Sequence, residues 1–284
     1  MKSIFLLVGV AAFIAANSQA DTVSFDYANF SGASGLTFPG SGNVAAISGA
    51  DLQLTPGGVS GGEAGMAYYS DPLTLQPDDY FTTTLEFQLT NPANGGGNGF
   101  AFVLSANAPS LGGKGEDLGY DYVSNTGNVN LDSLAVAFNT YGNDGYAGNN
   151  FVSLDTNGSL TNTDPSNVDG IATCSSGAGC MLNGDIWTAT ITYDGTDLGV
   201  SLYDGSNGPY TTSMAVNIAS ILGGSTSAYV GLSGGTGDAS ETLDVLNWQV
   251  STVPEPRSWI LLGFGLLFGA GLHRYVRAHG QKQV

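Results

Sequence analysis

The feature that most restricts the fold of this chain is a two-residue alternation of apolar and polar side chains. In segment 81–90, Phe81, Leu85, Phe87 and Leu89 share one face of a strand, and Thr, Glu and Gln line the other face. No stretch between residues 21 and 252 keeps a helical period for twelve residues. The pattern therefore predicts strands along this part of the chain.

Further strand signals give the fold class. Segments 99–104 and 134–141 are apolar at nearly every position, as expected of strands buried on both faces. Asp194-Gly195 separates two alternating runs and predicts a hairpin. The remaining signals lie at 187–193, 198–203, 228–232 and 243–250. Many strands, Gly-rich turns and no helices predict one all-β domain over 21–252, an antiparallel β-sandwich or jelly roll.

Charge is divided unevenly along the chain. The 284 residues carry 6 basic and 24 acidic side chains, for a net charge of −18. Residues 21–252 hold 23 of the acids and one base, Lys114, and so carry a net charge of −22. A stretch this acidic cannot neutralise phosphates, which excludes nucleic-acid binding. Both histidines, His273 and His279, lie beyond it, so it contains no Ser-His or Cys-His catalytic pair and no His-ligated zinc.

The first twenty residues are typical of a secretory signal peptide. Lys2 precedes an apolar run over 4–16, and the small residues Ser18 and Ala20 follow. A membrane-spanning helix is disfavoured because this run is too short for a hydrocarbon core of ~30 Å. We expect cleavage after Ala20, which leaves the mature chain outside the cytoplasm.

The C-terminal segment 253–284 has the reverse order. The sequence VPEP at 253–256 precedes a hydrophobic helix predicted over 259–272, and HRYVR follows at 273–277. Fourteen helical residues reach only ~21 Å, and the basic cluster would stay cytoplasmic. The segment resembles the PEP-CTERM sorting signal of Gram-negative bacteria. The resemblance implies transient anchoring in the inner membrane, processing by an exosortase and delivery to the cell surface or extracellular matrix; a simple C-terminal anchor is the alternative.

The two cysteines, Cys174 and Cys180, lie close together in the sequence. In an exported chain such a pair indicates a disulfide that pins a surface loop.

Four loops concentrate polar side chains, at 94–101, 112–117, 139–150 and 234–239. In the third loop, Asn139, Asn143 and Asp144 offer three oxygen ligands interleaved with glycine. Hard oxygen donors in a turn suit Ca²⁺. Ordinary turn chemistry is the alternative, because Asn, Asp and Gly dominate turns in general.

Several of these segments resemble the L-type lectins, which include legume seed lectins, animal cargo-receptor lectins and bacterial relatives. The segments are GNGFAF at 97–102, AVAFNTYGN at 135–143, GLSGGTGD at 231–238 and DVLNW at 244–248. They occur in the family's order and span nearly all of 21–252. The resemblance implies a concanavalin-like jelly roll that binds sugar at a site organised by Ca²⁺.

The resemblance also implies residue roles at the metal site. Asn139 and Asn143 would be side-chain Ca²⁺ ligands, and Tyr141 would bind through its backbone carbonyl. Asp169 loosely matches a further carboxylate ligand of the cargo-receptor branch, and Asp144 could add charge. Legume lectins hold a transition metal with Glu and His where this chain has Ala137 and Phe151, so we expect no transition metal.

At the sugar site, the resemblance implies that Asn98 accepts hydrogen bonds from sugar hydroxyls and that Asn143 donates one. Tyr141 could offer its ring to a sugar face. The backbone would take part at Gly115 and along the rim formed by Gly237, Asp238 and Ala239. Two family aspartates are Asn98 and Asn139 here, and an amide contributes a dipole where a carboxylate contributes a charge.

Three functions follow from these patterns. The first is an exported, Ca²⁺-dependent protein that binds a glycan or exopolysaccharide. The second is a structural matrix or surface protein with the same fold and no sugar binding, suggested by Asn98 and Asn139. A glycoside hydrolase needs two carboxylates facing one sugar bond. Because no spacing of acids proposes such a pair, we predict that the protein is not an enzyme.

Overall fold

Two antiparallel β-sheets form the protein, as seen in a computed structural model. It describes residues 22–58, 62–75, 79–121, 127, 129–141, 150–160 and 181–253, which belong to one compact unit, Asp21–Pro254. In chain order the strands are β1 (Thr22–Tyr27), β2 (Leu36–Thr37), β3 (Ala46–Ser48), β4 (Asp51–Thr55), β5 (Glu63–Tyr69), β6 (Leu73–Thr74), β7 (Tyr80–Ala93), β8 (Gly99–Ser105), β9 (Ser133–Asn139), β10 (Phe151–Thr156), β11 (Ile186–Tyr193), β12 (Asp197–Tyr203), β13 (Tyr210–Ala215), β14 (Ser227–Thr236) and β15 (Ser240–Val253).

The strand order confirms the predicted sandwich. One sheet has eight strands in the order β13-β12-β11-β7-β15-β4-β3, with β1 paired to β15. The other has seven strands in the order β10-β9-β8-β14-β5-β2, with β6 paired to β14. Neighbouring strands in these orders are mostly distant in sequence, as in a jelly roll.

The alternating pattern of β7 buries its apolar face between the sheets. Phe81, Leu85, Phe87 and Leu89 are at most 2% exposed. They belong to one hydrophobic core with residues of the seven-stranded sheet, where Phe100 and Phe138 stack at 4.5 Å between ring centroids. Aromatic pairs at this separation add to the stabilisation from buried area.

Strands β8 and β9 are buried along their whole length, as their continuous apolar runs predict. Their inward side chains enter the core. A second cluster covers the other face of the seven-stranded sheet, formed by Ala101, Val103, Leu118, Tyr120, Ala135 and Ala137. The chain segment that contains Leu118 and Tyr120 therefore packs over this sheet and carries Gly115 with it.

The strand boundaries differ from the predicted ones in several places, among them the ends of β7 (Tyr80–Ala93) and β15 (Ser240–Val253). Strand β9 ends at Asn139, two residues before the predicted end, and β14 extends to Thr236 instead of ending at residue 232. The prediction of no helix is wrong for one turn, α1 (Ile218–Ile221). Asn217 caps this turn, because its side chain accepts a hydrogen bond from Ser220 N at 2.8 Å.

Several predictions concern residues outside the described ranges. These are the signal peptide, the disulfide between Cys174 and Cys180, and the segment from 254 to 284 with its predicted hydrophobic helix. Within the described ranges, no helix has the length and apolar character needed to cross a membrane.

Candidate functional site

Three residues predicted to bind sugar meet at one end of the sandwich. Asn98 directly precedes β8, Gly115 begins a short 3-10 turn (Gly115–Asp117), and Gly237 directly follows β14. A methyl group placed on Gly237 would lie 3.4 Å from Asn98 Oδ1, and one placed on Gly115 would lie 3.8 Å from it. A side chain at either glycine would therefore contact the Asn98 amide, and the absence of one leaves space beside that amide.

Backbone hydrogen bonds fix the position of Asn98. Its N–H donates to Gly235 O at 3.2 Å, and its carbonyl accepts from Thr140 N at 3.0 Å. The residue is 9% exposed, and its side-chain amide forms no hydrogen bond within the described part of the chain. The amide atoms are not among the fully buried polar atoms that lack a partner, so a ligand hydroxyl can reach them from solvent.

The rim of the site is tied to the loop before Asn98. Asn94 Nδ2 donates to the backbone oxygen of Asp238 at 3.0 Å. Asp238 is exposed, whereas its neighbour Ala239 is buried. Tyr141 is 36% exposed, and its ring edge lies 3.8 Å from the point where a side chain on Gly95 would begin. An aromatic ring therefore stands beside the same loop.

Asn139 lies at the end of β9 with its side chain buried. Its Nδ2 donates to Ser153 Oγ at 3.3 Å, and Ser153 Oγ donates to Asp155 Oδ2 at 2.7 Å. In this series of hydrogen bonds the Asn139 amide takes part through its nitrogen. Asn139 Oδ1 accepts no hydrogen bond from the described residues and is the atom that a Ca²⁺ ion would take.

The other predicted metal ligands give a partial donor set. Tyr141 lies two residues after Asn139, whereas Asn143, Asp144 and Asp169 fall outside the described residues. Calcium takes six to eight oxygen ligands. Asn139 and Tyr141 alone would therefore not suffice, and the remaining predicted ligands would be needed. Among the residues described, no three His, Cys, Asp or Glu side chains are grouped to hold a metal ion. The oxygen donors that are described fit calcium in type.

The two positions at which the resemblance places the Glu and His ligands of a transition metal are Ala137 and Phe151. Ala137 is fully buried in the second hydrophobic cluster, and Phe151 pairs with Asn139 across β9 and β10. Neither side chain offers a ligand atom.

One buried carboxyl group at the site was not predicted from the sequence. Glu241, on β15, is 1% exposed, and its Oε2 accepts from Gly97 N at 2.9 Å. Burial raises the pKa of Glu241 to about 7, although hydrogen bonds with Gly97 and Thr140 act to lower it. Strand parity gave little signal, because a register shift lies between Ser240 and Thr242 and both of these residues are buried as well.

Charged side chains surround Gly115. Lys114 Nζ donates to Gly62 O at 2.8 Å. Burial, followed by the charges of Asp121 and Glu116, raises the pKa of Asp117 to about 6. Burial also raises the pKa of Glu63, while Gly57 and Lys114 lower it. Lys114, the single base of residues 21–252, therefore lies among acids and directly precedes Gly115, whose backbone is predicted to bind sugar.

Comparisons with known proteins bear on the fold and the family. The chain is similar to agglutinin-2 of Cladrastis kentukea, at 27% identity over 254 residues that cover 83% of this chain and 82% of the agglutinin. It is similar to the structure of a lectin from Bauhinia forficata in complex with GalNAc, at 25% identity and a TM-score of 0.62, covering 82% of this chain and 98% of that one. It is also similar to the metal-free form of lectin I-B4 from Griffonia simplicifolia, at 26% identity and a TM-score of 0.63, covering 81% and 99%.

The family model for the legume lectin domain matches residues 22–260. This range contains all fifteen strands and every predicted sugar-binding and metal-binding residue. Legume lectins are sugar-binding proteins, a class that the ordered loop motifs predicted. The chain belongs to the legume lectin family.

Proposed function

We propose that this protein is an exported carbohydrate-binding protein that uses Ca²⁺ and acts at the cell surface or in the exopolysaccharide matrix. The observation that carries the proposal is the convergence of Asn98, Gly115 and Gly237 around one side-chain amide that makes no hydrogen bond to the described residues. A sugar hydroxyl would supply a partner for this amide. The related Bauhinia lectin, whose structure holds GalNAc, supports this assignment.

Calcium would act by ordering the segment that faces the sugar. Asn139 Oδ1 and the Tyr141 carbonyl would bind it, with Asn143, Asp144 and Asp169 completing the set. Bound calcium would hold Asn143 in place to donate to a sugar hydroxyl. The type of donor atom at the described positions supports this role.

The proposed location depends on the two ends of the sequence. The signal peptide at 1–20 would direct export, and residues 259–272 would anchor the chain in the inner membrane of a Gram-negative bacterium until an exosortase acts. Mass spectrometry of the exported protein tests this. We expect no peptide from 274–284 in mature material, and an intact C-terminal peptide there would contradict processing.

A glycan array tests sugar binding directly. We expect the purified chain to bind glycans in calcium chloride and to lose binding in EDTA. Asn98→Ala should abolish binding, because it removes the amide that faces the ligand. Asn98→Asp should strengthen binding, because a carboxylate accepts two hydroxyl hydrogen bonds.

Asn29→Ala is the matched control, since this asparagine only accepts a hydrogen bond from Ser31 N in an exposed turn. It should bind as the wild type does. Absence of wild-type binding on a broad array with calcium present would count against the proposal.

A structural matrix protein with the same fold is the second candidate. It is favoured by the amides at positions 98 and 139, where related proteins use aspartate. On this alternative, Asn143→Ala leaves matrix association unchanged. Loss of association in this variant, measured by fractionation of the extracellular matrix, would favour sugar binding.

A further inference from the structure

The Glu241 carboxyl group contacts two different loops of the site. Its Oε2 accepts a hydrogen bond from Gly97 N at 2.9 Å, and its Oε1 lies 3.4 Å from Thr140 Oγ1. Thr140 Oγ1 also donates to Gly97 O at 2.9 Å. Gly97, Thr140 and Glu241 therefore form a closed ring of three contacts.

Each loop residue in this ring adjoins predicted ligand-binding residues. Gly97 directly precedes Asn98. Thr140 stands between Asn139 and Tyr141. The ring thus joins the loop that carries the proposed sugar acceptor to the segment that carries two proposed calcium ligands.

The hydrogen atoms available in the ring favour a neutral carboxyl group. The Thr140 hydroxyl has one hydrogen, and the carbonyl of Gly97, which can only accept, lies at the shorter distance. A protonated Glu241 can donate to Thr140 Oγ1 while it still accepts from Gly97 N. All three contacts are then satisfied at once.

The surroundings of Glu241 agree with this protonation state. A side chain on Gly96 would start 3.2 Å from Glu241 Oε2, and one on Gly97 would start 3.2 Å from its Oε1 and 2.8 Å from Thr236 Cγ2. Of the acids near this part of the chain, Asp238 lies at the exposed rim and Glu63 pairs with Thr236 across β5 and β14. Among described residues no charged group shifts the pKa of Glu241, and burial is the largest cause of its rise.

We propose that Glu241 is a positioning residue, whose carboxyl group holds the Gly97–Asn98 backbone against Thr140 and thereby keeps the sugar site in its binding geometry. The inference rests on the proposed sugar binding for its effect on affinity. The clamp itself is a property of the chain without ligand.

Three substitutions of Glu241 in the full chain test the clamp. Glu241→Gln is isosteric with the neutral carboxyl group, and its amide can accept from Gly97 N and donate to Thr140 Oγ1. Glu241→Met fills similar volume but forms neither bond, and Glu241→Ala removes both the bonds and the volume. Amide hydrogen exchange of Gly97 is the readout without ligand, and the glycan array in calcium chloride is the readout with ligand.

We expect Glu241→Gln to keep wild-type exchange and glycan binding. Glu241→Met should exchange the Gly97 amide about tenfold faster, because the amide loses its buried acceptor, and should weaken glycan binding by a similar factor. If Glu241 only fills space, Glu241→Met should keep Gly97 exchange and glycan binding as well as Glu241→Gln does. That result would overturn the proposal.

Two variants of Thr140 test the clamp even if the Glu241 variants fail to fold. Thr140→Ser keeps the hydroxyl and should preserve Gly97 protection, whereas Thr140→Val should reduce it. Equal protection in these two variants would contradict the clamp. If the wild type binds no glycan but the exchange results hold, the sugar-binding proposal fails and the structural clamp stands without a role in binding. Faster exchange with unchanged glycan affinity would overturn the positioning role.

Discussion

The loops of the candidate site and the turn after β11 differ in where their polar atoms find partners. In the turn, Asp194 Oδ1 accepts from Thr196 N at 2.9 Å and Asp197 N at 2.7 Å, two and three residues away. In the site, Gly97 N and Asn94 Nδ2 each bind a partner 144 residues away. The turn is held by its own sequence, whereas the site loops depend on the packing of distant strands. The site should therefore respond more strongly than the turns to the same chemical change.

A glycine substitution should give the largest contrast. Gly99, the first residue of β8 beside the site, and Gly205, in the turn after β12, both have positive φ, at 111° and 84°, so alanine strains both backbones. A methyl group on Gly99 would lie 2.0 Å from Phe138 O, whereas one on Gly205 meets only Tyr203 Oη at 3.9 Å. We expect Gly99→Ala to lower the free energy of unfolding by about 4 kcal/mol or more and Gly205→Ala by about 1 kcal/mol. Urea denaturation measures both, and equal losses would contradict the contrast.

The pH dependence of stability should differ in sign between the two regions. The pKa of Glu241 rises from 4.5 to about 7 on folding, so its stabilisation is full below pH 4.5 and is lost as pH rises through about 7. The total loss is about 3 kcal/mol by linkage. Unfolding in EDTA should therefore show the wild type losing stability relative to Glu241→Gln between pH 4.5 and 8. Parallel curves would contradict the burial of this group.

Asp194 provides the opposite case. Hydrogen bonds from Asp197 and Thr196 lower its pKa from 3.8, so its stabilisation is present above pH 3.8 and is lost as pH falls through the lowered value. Asp194→Asn should reduce stability at neutral pH and match the wild type in strong acid. A difference that grows toward low pH would contradict this account.

An isosteric change of threonine to valine gives the smallest contrast. Thr140→Val leaves Gly97 O and the Glu241 carboxyl group short of a partner in a buried site, which should cost about 2 kcal/mol. Thr196→Val removes a hydroxyl that binds Asp194 at the surface and should change stability by no more than about 0.5 kcal/mol. Thermal unfolding measures both, and similar values would show that the Thr140 contacts contribute little.

The sequence predicted most of the fold because the strand signals are local. The alternation in 81–90 and the Asp194-Gly195 turn need only neighbouring residues, and β7 and the β11–β12 hairpin formed as predicted. Short strands such as β2 and β6, with two residues each, have too few positions for a period. The one-turn helix α1 was missed for the same reason.

The candidate site was predictable only as a set of separate loops. Motif order placed Asn98, Gly115 and Gly237 in one site, and the structure brings these three together. Glu241 was missed as a part of it because its partners, Gly97 and Thr140, are far away in sequence. The register shift between Ser240 and Thr242 also interrupts the alternation of β15 at Glu241.

The sequence by itself determined the class of the fold, the acidic character of the domain and the legume lectin family, because periodicity, composition and ordered motifs are all contained in the linear chain. Only the tertiary structure decided which polar groups meet. The pairing of β14 with β8 and of β15 with β7 brings the loop before Asn98 against Glu241 and Gly237. Those contacts require strand register between distant segments, which the cooperative packing of the core sets and no local pattern encodes.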